Sequence, residues 1–433
     1  MIIRPSYNYA KTSNYEDEVS ANELNKLVRA STTADKLNLS FDDVYRSNVF
    51  CEKSQFDKVS GTIDVVLFCG YAGAGHYSAA YAIAKTLSDR GYNVAIVDAF
   101  RMLIPRKAKQ ACDGWLFVSK HAQRLFKFSC KLVSKQIGVN LFYNFMRRGN
   151  IDSITKFLTS HHVRLCISTY IYPNVIIGKF AKYVDDVAIV ATDYSSIGML
   201  TQLKGIPFND VHVIVPDESI YLDAKKRYPA ISNCKDHVSI GGIPSLMTKR
   251  VMKNLTRNIK CRYSDVLTFF VGGGLGIGYG IKGIKTVFDS YDGTIVIVCG
   301  DNEKWIKKVK KLAFNYPNKK IIVLGYVSHE VALKMMLTSR IVVSKAGGIT
   351  SAEMTAFDGY KIFFGSILGH EENQAKMFAR NCYATFCKNL EDLSYCIKNP
   401  QKSIGIYNTY CMEAPVDILA DCVEEVLNKK KSQ

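Results

Sequence analysis

Short apolar runs alternate with helical stretches along most of the chain. "DVVLFCG" predicts a buried strand, residues 79–90 predict a helix, and "NVAIVD" predicts a second strand. Further strands are predicted from "VRLCIST", "VAIVATD", "VHVIVP" and "HVSIGG". Alternating strands and helices are typical of a parallel sheet that carries helices on both faces. We therefore expect an α/β fold.

The same pattern restarts in the second half of the chain. "VLTFFVGGG", "GTIVIVCG", "KIIVLGYV", "RIVVSKAGG" and "YKIFFG" predict the strands of a second α/β unit. We assign residues 1–58 to a polar extension with short helices at most, 59–246 to a first unit, 247–413 to a second unit and 414–433 to a closing helix. Two doubly wound units in series place ligands in the cleft between them, where glycine loops follow strand ends.

Charge narrows the choice of partner. The chain has 433 residues and a net charge of +18, which favours an anionic partner: nucleic acid, an acidic membrane surface or a phosphorylated substrate. Its 13 cysteines include no CxxC pair, so we expect reduced thiols in a cytoplasmic protein rather than a zinc site. The N-terminus lacks a signal pattern, and no apolar run approaches the roughly 18–20 residues of a membrane span. We expect a protein that is neither secreted nor membrane-spanning.

The first glycine loop, "GYAGAGHYSAA", supports two interpretations. Gly73 and Gly75 nearly fit a dinucleotide fingerprint, and Asp98 ends the next strand where an acidic residue would hold a ribose. His76 favours a different chemistry, because an imidazole titrates near neutrality and can take the proton of an acceptor hydroxyl. A solvated or capping histidine is the structural alternative.

The second glycine loop is "VGGGLGIGYGIKG". Its formal GxGxxG match at Gly278, Gly280 and Gly283 lies too far past the strand end to be a fingerprint. Gly274 and Gly276 stand closer to the strand, and we interpret them as glycines that let the backbone approach a ligand.

The third loop, "VSKAGGITSAE", is the most specific of the three. Gly347 and Gly348 stand between a strand and a helix, whose N-terminus offers free N–H groups and a positive dipole end to a diphosphate. Thr350 can add a hydroxyl, and Glu353 can accept from ribose hydroxyls. Alternatively, Thr350 and Glu353 form a capping box with Thr350 as the N-cap.

A cluster of polar residues follows in "GSILGHEENQAKMF". Glu371, Glu372 and Asn373 open a predicted helix, and their acceptors and amide suit the hydroxyls of a sugar. The alternative is a solvated acidic first turn, which is common in helices.

Residues 101–150 carry a basic and aromatic segment. Eleven Lys and Arg stand against one acid, a balance of +10 within the chain's +18. Candidate membrane-binding residues are Trp115, Lys120, Arg124, Lys127, Lys131, Lys135, Phe142 and Phe145. The basic residues form one helical stripe, as in helices that lie on anionic membranes, where each contributes about 1 kcal/mol. A helix packed on the sheet with a solvated basic face is the alternative. Nucleic acid also fits the charge, but no motif for it is present.

The order of these motifs gives a resemblance. Over residues 60–427 the chain resembles the monogalactosyldiacylglycerol synthases and processive diacylglycerol glucosyltransferases. The motifs that carry the resemblance are, in order, "GAGHYSAA", "ATDY", "GGIP", "GGGLGIG", "CGDN", "GYV", "SKAGGITSAE" and "GHEEN". These are related to the peptidoglycan-precursor N-acetylglucosaminyltransferase. The resemblance implies the GT-B fold, in which two Rossmann-like domains face each other across a cleft.

The resemblance also implies an activity. A UDP-sugar would be the donor and diacylglycerol the acceptor, at the cytoplasmic face of a membrane, with no metal or cofactor. The backbone around Tyr326 and Val327 would hold uracil, Glu353 the ribose and residues 347–350 the diphosphate, with His76 as the base. Glu371, Glu372 and Asn373 would lie near the donor sugar. His370 stands where the family has glutamine, so glucose and galactose both stay open. Two further alternatives stay open: a transferase that acts on another lipid or polyisoprenoid acceptor, and a non-catalytic protein that binds a nucleotide sugar or a membrane.

Overall fold

The computed structural model describes most of two α/β units and the helix that follows them. The described residues are 49–51, 56, 59–70, 74–103, 110, 114, 151–170, 174, 177–192, 194, 211–218, 220–222, 238–247, 263–272, 280–356, 359–365, 370–403 and 415–429.

The first unit is built on a parallel sheet with six strands among the described residues. Its elements are β1 (Val65–Cys69), α1 (Ala74–Asp89), β2 (Val94–Asp98), α2 (Ala99–Leu103), α3 (Ile151–Ser160), β3 (Leu165–Ser168), a 3₁₀ turn (Ile177–Lys179), β4 (Asp186–Val190), β5 (Val211–Val215) and β6 (Val238–Ile240). The strands lie in the order β2-β1-β3-β4-β5-β6. Helix α1 begins at Ala74 rather than at the predicted residue 79, so His76 lies in its first turn.

The second unit repeats this design. Its elements are β7 (Tyr263–Phe270), α4 (Ile281–Ser290), β8 (Thr294–Val298), α5 (Glu303–Ala313), β9 (Ile321–Leu324), α6 (His329–Thr338), β10 (Ser339–Ser344), α7 (Gly348–Thr355), β11 (Tyr360–Phe364), α8 (His370–Arg380), β12 (Thr385–Cys387) and α9 (Leu390–Lys398). The described strands form a parallel sheet in the order β12-β11-β10-β7-β8-β9. The predicted fold class, two doubly wound parallel sheets, is confirmed.

Burial on both faces explains the continuous apolar runs of the strands. Every residue of β1 is buried. Val66 and Phe68 point into the core cluster that includes α3, whereas Val65 and Leu67 point into the cluster that includes α1. Since successive side chains of a strand point to opposite faces, a strand covered on both faces is apolar at every position.

The core of the first unit reaches back into the predicted extension. The backbone N–H of Phe50 donates to Ile96 O at 2.9 Å, and the N–H of Asp98 donates to Phe50 O at 3.0 Å. Val49 and Phe56 are buried in the two cores of this unit. The packed unit therefore includes residues that precede its predicted start at residue 59.

The chain returns to the first unit at its end through α10 (Pro415–Lys429). Leu419 and Val423 of this helix are buried in the cluster formed with β1 and α1. Arg90 lies 2.6 Å from an oxygen of Asp421 and 3.1 Å from an oxygen of Glu424. Apolar packing and ion pairs together hold α10 on the first unit.

Within the described parts of the chain, no helix combines the length and the apolar character that crossing a bilayer requires.

Each sheet has a point where the strand order reverses. In the first sheet β1 lies between β2 and β3, and in the second β7 lies between β8 and β10. The loops that leave adjacent strands at such a point diverge to opposite faces and open a crevice at the carboxyl edge of the sheet, where ligands bind. The loops that precede α1 and α7 both leave strands at these points.

Candidate functional site

The two crevices meet where the N-termini of α1 and α7 come together. A methyl group built on Gly75, at the start of α1, would lie 3.8 Å from Ile349 Cγ1 of α7. Ala79 of α1 and Ala352 of α7 join Ile349 and Ile243 in a small apolar cluster. The first and third glycine loops, which are far apart in sequence, therefore lead into helices that touch.

The carboxyl ends of β3 and β4 hold the His76 side chain. Its Nδ1 atom lies 3.0 Å from Thr169 O and 2.9 Å from Thr192 Oγ1, and its ring lies 4.6 Å from the ring of Tyr170, centroid to centroid. Because a carbonyl oxygen can only accept, a hydrogen bond from Nδ1 to Thr169 O places the proton of the neutral imidazole on Nδ1, and in that tautomer the lone pair is on Nε2. That tautomer can act as a general base through Nε2.

Two threonines surround this histidine. The Thr169 hydroxyl donates to His76 O at 3.1 Å, and Thr192 Oγ1 lies 3.4 Å from Thr169 O. His76 is half-buried. These contacts do not fit a side chain that is merely solvated. Sequence reasoning quoted Thr192 within "ATDY" but gave it no role.

The structure argues against the dinucleotide interpretation of the first loop. Asp98 is fully buried. Its Oδ1 accepts from the N–H of Arg101 at 2.9 Å, and Oδ2 lies 3.5 Å from Arg101 Nε. Both carboxylate oxygens of Asp98 thus face Arg101, and the side chain caps the start of α2. Gly73 lies outside the described residues.

The described residues of the second loop are its two ends, 271–272 and 280–283. Gly280 is the N-cap of α4. A methyl group on Gly283 would lie 2.7 Å from Phe364 Cε1, so this glycine allows α4 to pack closely on β11. Gly274 and Gly276 lie outside the described residues and stay predictions, as do the membrane-binding residues Trp115, Lys120, Arg124, Lys127, Lys131, Lys135, Phe142 and Phe145.

Helix α7 begins at Gly348 without a side-chain cap. Its N-cap is Gly347, with extended backbone angles (φ −77°, ψ 149°) and no hydrogen bond from a capping side chain. Thr350 is therefore the third helical residue, and the capping-box alternative with Thr350 as N-cap is wrong. The helix instead presents its first N–H groups beside a glycine, which is the arrangement that binds phosphate in other proteins.

A lysine that sequence reasoning missed lies beside this helix start. Lys345 Nζ is 2.6 Å from Glu371 Oε1, and the two side chains are 17% and 10% exposed. A methyl group on Gly347 would lie 3.8 Å from Lys345 Nζ and 3.7 Å from Glu371 Oε1. A cation and its counter-ion therefore flank the predicted diphosphate position. The available signal was a basic residue two positions before the glycine pair.

Glu353 is paired within the protein. Its Oε1 lies 2.5 Å from His329 Nε2, and its side chain is 4% exposed, against 28% for His329. Burial acts to lower the pKa of His329, but the charge of Glu353 and the hydrogen bond to it outweigh burial and raise that pKa above its ordinary value. Sequence reasoning did not single out His329.

The remaining predicted donor residues are Tyr326 and Val327, which precede α6, and Glu372 and Asn373, in the first turn of α8. Val327 is buried in the core of the second unit, whereas Tyr326 packs against the core of the first. Burial and the charge of Asp301 raise the pKa of Tyr326. Glu372 bonds Lys376 one turn along α8 at 2.6 Å, and Asn373 is exposed.

Gln374, also missed from the sequence, joins the two units. Its Oε1 accepts from the backbone N–H of Tyr194 at 3.1 Å, and its Nε2 donates to Ala346 O at 3.2 Å. The Tyr194 ring packs edge-on against Phe378 at 4.9 Å, centroid to centroid. The acceptor-side segment "ATDY" is thus bonded, through one amide, to the residue that precedes Gly347.

Comparison with known proteins gives a sequence relative and solved structures. The chain is 20% identical, over 394 residues, to a processive diacylglycerol beta-glucosyltransferase from Bacillus licheniformis; the match covers 85% of this chain and 97% of that protein. No family model matches the chain.

A solved structure shares the architecture. The crystal structure of MurG from Acinetobacter baumannii matches 84% of this chain and 99% of its own, with a TM-score of 0.50 and 12% identity. The chain has the GT-B fold. A weaker match, to an Arabidopsis thaliana protein complexed with UDP-L-rhamnose, has a TM-score of 0.48 and 9% identity over 86% of this chain. The expected resemblance is therefore confirmed at the level of the GT-B fold.

Proposed function

We propose that this protein transfers a hexose, glucose or galactose, from a UDP-sugar to diacylglycerol and so makes a membrane glycolipid. The observation that carries the proposal is the contact between the two helix N-termini. His76 lies at one of them, poised as a base, and the uncapped Gly347–Gly348 start lies at the other with Lys345 beside it. Sugar transfer needs a base for the acceptor and an anchor for the departing nucleotide in one cleft.

The reaction follows from these groups. His76 Nε2 takes the proton of the acceptor hydroxyl, whose oxygen forms a bond to the anomeric carbon of the donor sugar. The bond from that carbon to the diphosphate oxygen breaks, and UDP leaves. The N–H groups of α7 and the Lys345 ammonium stabilise the charge that develops on the diphosphate. No metal ion takes part in this scheme.

Two observations favour a lipid acceptor. The sequence relative is a diacylglycerol glucosyltransferase that matches over 85% of the chain. The balance of +10 in residues 101–150 suits an anionic surface. We therefore place the protein in the cytoplasm, bound peripherally to the membrane face.

UDP release by the purified protein tests the proposal. Vesicles containing diacylglycerol, with and without anionic lipid, are supplied with UDP-glucose and UDP-galactose separately. We expect acceptor-dependent release from one donor, more of it on anionic vesicles. His76→Ala should abolish the release, whereas His161→Ala, at a histidine bonded to Gly61 O in the first unit, should keep it.

Other outcomes separate the alternatives. UDP release that depends on a polyisoprenoid phosphate, but not on diacylglycerol, would overturn the proposed acceptor and support the proposed transferase activity. UDP binding without release, whatever the acceptor, would point to a non-catalytic nucleotide-sugar-binding protein. Absence of UDP binding would overturn the proposal as a whole.

A further inference from the structure

His329 connects two parts of the second unit that the proposed function assigns to one nucleotide. It is the first residue of α6 and directly follows the segment around Tyr326 and Val327, proposed for uracil. Ser328 caps this helix by accepting from the N–H of Val331, which fixes where α6 begins. From that position His329 Nε2 reaches 2.5 Å to Glu353 Oε1, on the neighbouring helix α7.

The buried carboxylate of Glu353 requires a hydrogen-bond partner such as His329. The Glu353 side chain is 4% exposed, and a buried carboxylate without a partner is strongly unfavourable. The bond from His329 gives Oε1 a partner and restricts the rotation of the carboxylate. A carboxylate restrained in this way can present its second oxygen to a neighbouring pair of hydroxyls, whereas a mobile one first has to be ordered.

We propose that His329 is a positioning residue that fixes Glu353 to accept hydrogen bonds from the ribose hydroxyls of the bound uridine nucleotide. The inference rests on the proposed function, because it takes the site to bind UDP. His329 need not touch the nucleotide itself. It acts by holding the carboxylate that does.

Calorimetric titration with two nucleotides tests this role. UDP and 2′,3′-dideoxy-UDP are each titrated into the wild-type protein, His329→Ala, His329→Gln and His329→Asn. Glutamine carries an amide donor near the Nε2 position, whereas asparagine is too short to reach Glu353. We expect His329→Ala and His329→Asn to weaken UDP binding about ten- to a hundredfold, as expected for the loss of a hydrogen bond to a charged group.

The dideoxy nucleotide gives the readout that a merely structural role would not produce. Its affinity should be nearly the same in the wild-type protein and in all three variants, because it lacks the hydroxyls that Glu353 would bind. His329→Gln should recover most of the UDP affinity. Glu353→Gln should lose affinity for UDP and not for the dideoxy form.

Each contrary result has its own meaning. Equal losses for both nucleotides would show that His329 supports the fold of the site, and would overturn the inference. Unchanged UDP affinity in His329→Ala would do the same. Wild-type protein that fails to bind either nucleotide would overturn the proposed function instead. If His329→Ala does not fold, the comparison of His329→Gln with His329→Asn decides between the same outcomes.

Discussion

Replacing Gln374 by methionine is expected to loosen the contact between the two units. Methionine has nearly the length of glutamine and fits the same space, where Gln374 is 1% exposed, but it cannot make the two hydrogen bonds. The N–H of Tyr194, which is partly buried, would lose its acceptor, at a cost of about 1–3 kcal/mol. Ala346 O would lose one donor, at about 0.5–1.5 kcal/mol. The total is about 1.5–4.5 kcal/mol.

Two measurements check this prediction. Urea unfolding gives the change in the free energy of unfolding, and hydrogen exchange followed by mass spectrometry reports on the peptide that contains Tyr194. That peptide should exchange faster in Gln374→Met. Arg380→Gln, at the exposed end of the same helix, is the matched control and should stay within about 0.5 kcal/mol of wild type. An unchanged midpoint of urea unfolding, together with unchanged hydrogen exchange in the Tyr194 peptide, would refute the role of Gln374 in joining the two units.

Three further predictions concern the base, the His329 pair and the packing of α4. His76→Ala should lower the rate of sugar transfer about 10²- to 10⁴-fold, the usual contribution of a general base, and leave the Kd for UDP unchanged in calorimetry; unaltered turnover would exclude the base role. Because the folded-state pKa of His329 is raised above its ordinary value of 6.5, its bond to Glu353 stabilises the protein fully below about pH 6.5 and loses that effect as pH rises through the folded-state pKa. The Tm difference between wild type and His329→Gln should therefore shrink as pH increases, and a constant difference would contradict the pairing. Gly283→Ala places a methyl group 2.7 Å from Phe364 Cε1, and the overpacking cost of about 1–3 kcal/mol exceeds the roughly 0.5–1 kcal/mol that alanine gains in a helix. Urea unfolding should show the loss, and Phe364→Leu should restore part of it; a Gly283→Ala protein as stable as wild type would argue against this contact.

The repeating α/β pattern could be predicted because local sequence determines it. Strands covered on both faces are continuously apolar, and β1 and β10 are followed by glycine loops that can be recognised in the sequence. Strand β12 escaped prediction because it has three residues, only one of them buried. The early start of α1 escaped it because a loop of Gly and Ala carries no helical periodicity. The role of Val49 to Cys51 depends on pairing with β2, which is a long-range contact.

The hydrogen-bond partners of the site residues could not be predicted because they also depend on long-range contacts. His76 and Thr192 are separated by 116 residues and meet because β1, β3 and β4 are neighbours in one sheet. Local sequence does not specify that neighbourhood. Lys345 and Glu371 are 26 residues apart, and their pairing depends on the fold bringing the end of β10 next to the start of α8. Residue types and spacing could identify the loops, whereas the hydrogen-bond partners within them required the three-dimensional arrangement.

The two buried carboxylates of the proposed donor site have a common electrostatic logic. Glu353 is hydrogen-bonded to His329 and Glu371 is ion-paired with Lys345, so each carboxylate has a basic partner within the protein. An incoming diphosphate adds negative charge beside Gly347, where Lys345 already lies. Lys345 then has to divide its hydrogen bonds between Glu371 and the phosphate, and the N–H groups of α7 supply the remaining donors. If the donor binds as we propose, Glu371 therefore acts as the counter-ion that holds Lys345 in place as well as a contact for the sugar. Replacing it would weaken binding through the displaced lysine even for UDP, which carries no sugar at that position.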